Sequence, residues 1–125
     1  MDISNLPEPL RRRMEELNAE PPLEIVRLFL GTHFGDAQSF DEVQRDLERL
    51  ARSNIRSHQR HLAALDAVIA DPPTEPNALA HLVGWDGNWV LDDPSDAGSL
   101  QFLREVADML RAVIAGAPST ATRSA

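Results

Sequence analysis

Apolar residues recur at spacings of three and four along most of this 125-residue chain, which is the period of an amphipathic α-helix. Prolines and glycines divide this pattern into blocks, each about as long as a short helix. The pattern therefore predicts an all-α fold: a small helical bundle of five to six helices with one irregular acidic and aromatic loop.

The first predicted helices differ in how much of their surface is apolar. Residues 8–19 carry one narrow apolar face, whereas residues 23–34 are apolar on nearly all sides, which predicts a central, buried helix. The next helix opens at Ser39, which is followed three residues later by Glu42 in the spacing of a capping box. Its predicted inner stripe comprises Val43, Leu47, Leu50 and Ile55.

The apolar stripe turns polar between residues 53 and 57, which predicts a break or kink there. A single long helix running to Ala70 is the alternative. The fourth helix carries Leu62, Leu65, Val68 and Ile69 and is predicted to end at the Pro72–Pro73 pair.

The last third of the chain contains two more predicted helices with an irregular stretch between them. A short helix follows Thr74, and Gly84 is placed to end it. Residues 88–91 could form a short strand, although no partner strand is evident. The final helix, residues 99–115, has the clearest stripe and is closed by Gly116.

Length and composition predict one soluble domain. We assign residues 1–116 to a single helical domain and residues 117–125 to a disordered tail. There are no cysteines, no apolar run long enough to span a bilayer and no secretory signal at the N-terminus, so a cytoplasmic location without membrane contact is predicted.

The charge balance favours a basic partner. The formal net charge is −8, and this excess of carboxylates argues against binding to nucleic acid, which depends on neutralising phosphates. The arginines between Arg45 and Arg60 form a ladder at spacings of three and four, but acidic residues are interleaved with them, which predicts ion pairs on an exposed helix face.

No residue pattern indicates catalysis, a cofactor or a metal. His58 and His61 are three residues apart, but arginines flank them and would repel a cation, so we interpret them as solvated helix surface. His33 lies at the end of the buried helix, where a histidine interacts favourably with the helix dipole. No nucleophile triad, phosphate loop or dinucleotide fingerprint is present, and an enzyme is not predicted.

The most distinctive residues lie between positions 84 and 98, where two tryptophans stand among aspartates. The aspartates lack the order of a calcium-binding loop. We expect one tryptophan, Trp85, to be packed in the core. An aromatic ring beside carboxylates is also typical of a protein-binding hot spot for a basic partner.

The order of these pieces resembles one group of contact-dependent growth inhibition immunity proteins, the CdiI type. The resemblance covers residues 22–115 and is carried by residues 30–34 (Leu-Gly-Thr-His-Phe), which end an apolar helix, and by residues 90–98 (Val-Leu-Asp-Asp-Pro-Ser-Asp-Ala-Gly), an aspartate-rich turn before the last helix. The chain departs from the family pattern at residues 35–37, where a tryptophan between two aspartates is missing, and by one extra residue before Gly98.

The resemblance implies an antidote that binds and neutralises a cognate toxin domain, often a nuclease, in the cytoplasm. The residues expected to face the toxin are Trp89, Asp92, Asp93 and Asp96, with Asp86 and Asp36 as secondary choices. The alternative is a helical adaptor or regulatory protein-binding module unrelated to toxins. The sequence leaves open the toxin's reaction, the surface that is blocked and the oligomeric state.

Overall fold

The computed structural model describes residues 21–117. These residues form a helical bundle in which five α-helices and one π-helical segment follow each other without a strand. The elements are α1 (Pro22–His33), α2 (Phe40–Ala51), α3 (Arg56–Ala70), α4 (Ala78–His81), the π-helical segment (Leu82–Asp86) and α5 (Asp96–Ala115). The all-α prediction is confirmed. The predicted helix at residues 8–19 and residues 118–125 of the predicted tail lie outside the described residues.

Three helix boundaries follow directly from local sequence. Pro22 begins α1, a position where the missing amide hydrogen of proline costs nothing. The Ser39 hydroxyl accepts a hydrogen bond from the Glu42 amide at 3.1 Å, so the predicted cap of α2 is confirmed. α5 ends at Ala115 and is closed by Gly116, as predicted.

The polar stretch between α2 and α3 separates two helices, so the single long helix to Ala70 is excluded. α2 ends at Ala51, and Arg56 begins α3 after a short turn. In this turn the Asn54 side chain accepts a hydrogen bond from the Arg56 amide at 2.8 Å, which satisfies one free donor at the start of α3.

The core lies where α5 meets the other helices. α5 packs against α2, α3 and α4, while α1 packs against α3 and the π-helical segment. The largest completely buried side chains come from α1, α2, α3 and α5: Phe29, Leu30, Leu47, Leu65, Leu103 and Leu110, with Phe34 just after α1. The prediction that α1 is a central helix buried on nearly all sides was wrong, because α1 buries only Val26, Phe29 and Leu30 while Leu23 and Leu28 are exposed, and α5 takes the central position.

Several sequence predictions were wrong in detail. Leu50 is exposed, and Ala51 takes its place in the buried stripe of α2. The short helix begins at Ala78 and not directly after Thr74, because Asn77 adopts a left-handed conformation (φ 67°). α5 begins at Asp96, three residues earlier than predicted, because the Ser95 hydroxyl caps it by accepting from the Gly98 amide at 3.3 Å.

The prediction that His58 and His61 lie on a solvated surface was also wrong. His58 is buried, and its Nε2 donates a hydrogen bond to the Leu47 carbonyl at 2.8 Å, which joins α3 to α2. The His61 ring is half-buried and packs against Phe29 with a centroid separation of 4.8 Å. No helix among residues 21–117 is both long and apolar enough to cross a membrane.

Candidate functional site: an exposed tryptophan and an acidic loop

The two tryptophans differ in burial, and the more exposed one is not the one expected. Trp89, predicted to face a partner, is half-buried and contacts Phe34 edge-to-face at 5.1 Å and Phe102 in a stacked arrangement at 6.0 Å. Trp85, predicted to lie in the core, is 76% exposed. The prediction that Trp85 packs in the core was therefore wrong, and Trp89 packs against the core instead.

Trp85 is held in its exposed position by His81. The two rings are stacked with an interplanar angle of 23° and a centroid separation of 6.0 Å. The imidazole lies beside the indole, and most of the ring surface remains open to solvent. An exposed aromatic ring that is already held by a neighbour loses little conformational entropy on binding, which is a property of interface hot spots.

The π-helical segment determines the direction in which Trp85 points. Gly84 was predicted to end the helix, but the chain continues through it to Asp86, because the widened turn lets the Gly87 amide donate to the Leu82 carbonyl at 3.0 Å. The additional residue in such a turn rotates the side chains out of α-helical register, and π-helical turns frequently occur at functional sites.

Gly87 permits a close approach at the end of this segment. A Cβ atom at position 87 would lie 2.9 Å from the Val83 carbonyl oxygen and 3.3 Å from Cβ of Leu30. The absence of a side chain therefore lets the segment pack directly on α1.

Two of the predicted partner-binding carboxylates are engaged within the protein. Asp96 accepts hydrogen bonds from the Asn77 amide at 2.8 Å and the Ala80 amide at 3.0 Å, so it caps the start of α4 from 19 residues away. Asp93 accepts from both the amide and the hydroxyl of Ser95, and these hydrogen bonds lower the pKa of Asp93. Both carboxylates thus shape the loop.

The other three predicted carboxylates belong to Asp36, Asp86 and Asp92. Within residues 21–117, none of the three accepts a hydrogen bond or forms a close ion pair, and Asp36 and Asp92 are exposed. The Asp86 carboxylate is half-buried and near enough to Arg27 to contribute to the raised pKa of that guanidinium, although the hydrogen bond from Arg27 to Glu24 contributes more.

The loop after Asp86 is joined to the turn that carries Asp36. The Asn88 side-chain amide donates to the Gly35 carbonyl at 3.0 Å, across 53 residues of sequence, and Asn88 itself has a left-handed backbone (φ 50°). The Asp36 turn and the Asp86 loop therefore lie on the same side of the bundle.

A groove of about 560 Å³ lies between the start of α1 and the residues around α4. Its apolar lining comes from Leu23, Pro76, Ala78 and Leu82. The charged and polar residues that line it are Glu24, Arg27, Glu75, His81 and Asp86. Trp85 does not line the groove, but its ring is stacked beside His81, which does. We name the groove together with this adjoining indole the Trp85 groove.

A second cavity, of about 480 Å³, lies between the end of α1 and α2. His33 and Asp36 line it, and Asp46 lies between Arg49, with which it forms an ion pair, and His33, whose Nδ1 is 3.7 Å from the carboxylate. Its lining contains no exposed phenylalanine, tyrosine or tryptophan, and two arginines stand among its three carboxylates, so this cavity is a weaker candidate for binding a basic partner.

The described residues contain little that resembles an enzyme site. In residues 21–117, no three histidine, aspartate or glutamate side chains are placed to hold a metal ion. The half-buried His61 has a pKa lowered to about 4, chiefly by desolvation, but it packs on Phe29 and lines neither cavity.

Sequence reasoning missed the residues of the Trp85 groove other than Asp86. Leu23 and Pro76 are separated by more than fifty residues and come together only in the folded bundle. One feature of the sequence could have indicated an apolar groove on the surface. Residues 23–34 carry more apolar side chains than a single buried helix face requires.

Comparisons of this chain with protein-family models, with curated proteins and with solved structures gave no match.

Proposed function

We propose that this chain is an immunity protein that binds and neutralises a cognate toxin domain in the cytoplasm, with no catalytic role of its own. The observation that carries the proposal is the 76% exposure of Trp85, which is followed in the chain by Asp86, a carboxylate that accepts no hydrogen bond within residues 21–117. A large aromatic ring beside free acids favours association with a basic protein surface.

The charge of the whole chain supports a basic partner. A net charge of −8 attracts a cationic domain at long range and accelerates the encounter. Nuclease toxins need a basic groove for their own substrate, and an acidic protein that covers this groove competes with nucleic acid. The resemblance of residues 30–34 and 90–98 to CdiI-type immunity proteins agrees with this arrangement.

The second candidate function is a helical adaptor with the same binding surface and an unrelated partner. It uses the same observation, the exposed Trp85, and differs only in what binds there. The identity of the partner is therefore the property that separates the two functions.

The test is affinity capture of the tagged full-length chain from its own host, followed by mass spectrometry at low and moderate salt. The proposal predicts capture of a basic, toxin-like C-terminal domain that is released as salt rises. Capture of a housekeeping complex alone would favour the adaptor and contradict the proposal.

A matched pair of variants identifies the contacting carboxylates. Asp36→Asn, Asp86→Asn and Asp92→Asn together should weaken capture and reduce its salt dependence, because these acids are not needed for the fold. The control exchanges three exposed acids on α2 and α5 whose carboxylates have no partner within residues 21–117, Asp41→Asn, Glu48→Gln and Glu105→Gln, for the same change in net charge. Equal weakening in both variants would show that only net charge matters.

A further inference from the structure

The Trp85 groove combines three properties that are rarely found together on one surface of a small protein. Its lining is apolar at Leu23, Ala78 and Leu82, it carries three carboxylates, and it adjoins an exposed indole. The apolar lining suits an apolar stem, the carboxylates suit a positive charge, and the indole suits a planar group.

The carboxylates exceed the cations in the groove. Glu24, Glu75 and Asp86 supply three negative charges, and Arg27 supplies one positive charge, which is bound to Glu24 through a hydrogen bond of 2.9 Å from its Nε. The Glu75 carboxylate, which is exposed, has no hydrogen-bond or ion-pair partner within the described part of the chain. A cation entering the groove would therefore meet an uncompensated negative field.

The indole of Trp85 favours one kind of cation over another. One face is stacked on His81, and the ring is 76% exposed, so a planar group can lie on the open face. A guanidinium is planar, weakly hydrated and stacks on aromatic rings, whereas an ammonium is a compact and strongly hydrated charge. The methylene stem of arginine also suits an apolar lining.

We propose that the Trp85 groove is the docking site for an arginine-bearing basic segment of the protein partner, with one guanidinium on the open face of Trp85 and a second at the carboxylates of Glu75 and Asp86. A volume of about 560 Å³ accommodates more than one side chain, which suits a segment of polypeptide. This inference rests on the proposed function, because it names the chemistry of the partner. Its test does not require the toxin.

The experiment measures binding of a short fluorescein-labelled peptide of alternating arginine and serine to the full-length chain by fluorescence anisotropy. Two further peptides contain citrulline or lysine in place of arginine. The proposal predicts that citrulline, which is nearly isosteric but neutral, weakens binding by about tenfold or more, and that lysine weakens it by a smaller factor. Equal binding of the arginine and lysine peptides would overturn the role of Trp85.

Variants locate the site on the protein. Trp85→Ala should weaken binding of the arginine peptide by about tenfold, so that the protein no longer prefers it to the lysine peptide. Glu75→Gln with Asp86→Asn should weaken both cationic peptides, whereas the control pair Glu48→Gln with Glu105→Gln, which makes the same change in net charge outside the groove, should have a much smaller effect. Equal loss in the two double variants would show diffuse attraction and overturn the site.

Two other occupants of the groove are also tested. Sedimentation of the full-length chain would reveal a dimer if a second copy binds there, and a dimer that Trp85→Ala dissociates would overturn the proposal. Removal of residues 1–19 that raises peptide affinity by about tenfold or more would show that the chain's own N-terminal segment competes for the groove, and would likewise overturn it.

The failure of this inference is distinguishable from that of the proposed function. If a toxin domain is bound and neutralised equally well by the wild type and by Trp85→Ala, the function stands and the groove is not the docking site. If the arginine peptide binds as predicted but no toxin domain is captured, the groove is an arginine-binding site and the immunity function is contradicted.

Discussion

Trp85 and Trp89 stand in the same short stretch of chain, but their environments differ. Trp89 is in contact with Phe34 and Phe102, and these rings help to attach the acidic loop to the core. Trp85 contacts only the ring of His81 among the aromatic side chains of residues 21–117. Of the two tryptophans, Trp89 therefore contributes to the core, and the ring of Trp85 is left open to solvent.

Substitution of the two tryptophans should separate these roles. Trp89→Ala should lower the free energy of unfolding by about 2–3 kcal/mol, because it removes a half-buried ring from the core. Trp85→Ala should change it by less than about 0.5 kcal/mol, as expected for an exposed position. Urea denaturation followed by circular dichroism measures both, and a larger loss for Trp85→Ala would contradict the assignment.

Asp96 and Asp92 provide a second comparison of this kind. Asp96→Ala should destabilise the protein by about 1–2 kcal/mol, because two amides at the start of α4 lose their acceptor. Asp92→Ala, at an exposed position, should be neutral within about 0.5 kcal/mol. The comparison is made from thermal melts of the two variants. Equal stability would mean that the Asp96 cap contributes nothing in solution.

At the scale of the element, the helices with regular apolar periods were predictable and the connections between them were not. α1, α2, α3 and α5 each bury a stripe that can be read from residues three and four apart. α4 and the π-helical segment depend instead on distant groups. The Asp96 carboxylate caps α4, and Asn88 donates to Gly35 across 53 residues, so no local pattern encodes either contact.

The candidate site divides in the same way. Sequence reasoning identified the acidic and aromatic loop, because its composition differs from that of the helices around it. It could not decide which tryptophan is buried, since this depends on the register of the π-helical segment. The sequence prediction also placed His58 and His61 on the surface, because both are flanked by arginines. In the structure, His58 contacts α2 and His61 contacts α1.

Two glycines of the helical elements should respond in opposite ways to the same substitution. A Cβ atom at Gly98 would overlap the backbone and side chain of Asp93, whereas a Cβ atom at Gly84 has open space around it. Gly98→Ala should therefore destabilise the protein by about 1–3 kcal/mol in spite of the higher helix propensity of alanine. Gly84→Ala should be neutral or stabilising by up to about 1 kcal/mol.

Differential scanning calorimetry of the two alanine variants measures the difference. A Gly98→Ala protein that is at least as stable as the wild type would show that the turn preceding α5 can move away from the helix without cost.

At the scale of the whole molecule, the histidines between α1, α2 and α3 make stability depend on pH. Burial lowers the pKa of His61 to about 4, and burial also lowers the pKa of His33, against the opposing effect of Asp46. Both groups bind a proton more readily in the unfolded chain. Stability should therefore fall as the pH falls from about 6.5 towards 4.

This loss should amount to about 1–2 kcal/mol for His61, after allowance for its partial exposure. His61→Phe keeps an aromatic ring against Phe29 and removes the titration, so it should flatten the pH dependence between pH 6.5 and 5. Urea unfolding at a series of pH values measures this, and an unchanged slope in His61→Phe would contradict the assignment.

The predicted partner-binding carboxylates fall into two groups. The carboxylates of Asp93 and Asp96 fix the acidic loop, and those of Asp36, Asp86 and Asp92 form no hydrogen bond or close ion pair within residues 21–117. With a net charge of −8, the chain should bind a cationic domain quickly and lose affinity as salt rises.

Immunity is tested by the growth of cells that express the captured basic domain with and without this chain. If the chain is an antidote, the domain alone arrests growth, the wild-type chain restores growth, and Trp85→Ala restores it less at equal protein level. Persistent arrest in the presence of the folded wild-type chain, or a captured domain that is harmless on its own, would show that the chain is not an immunity protein for this domain.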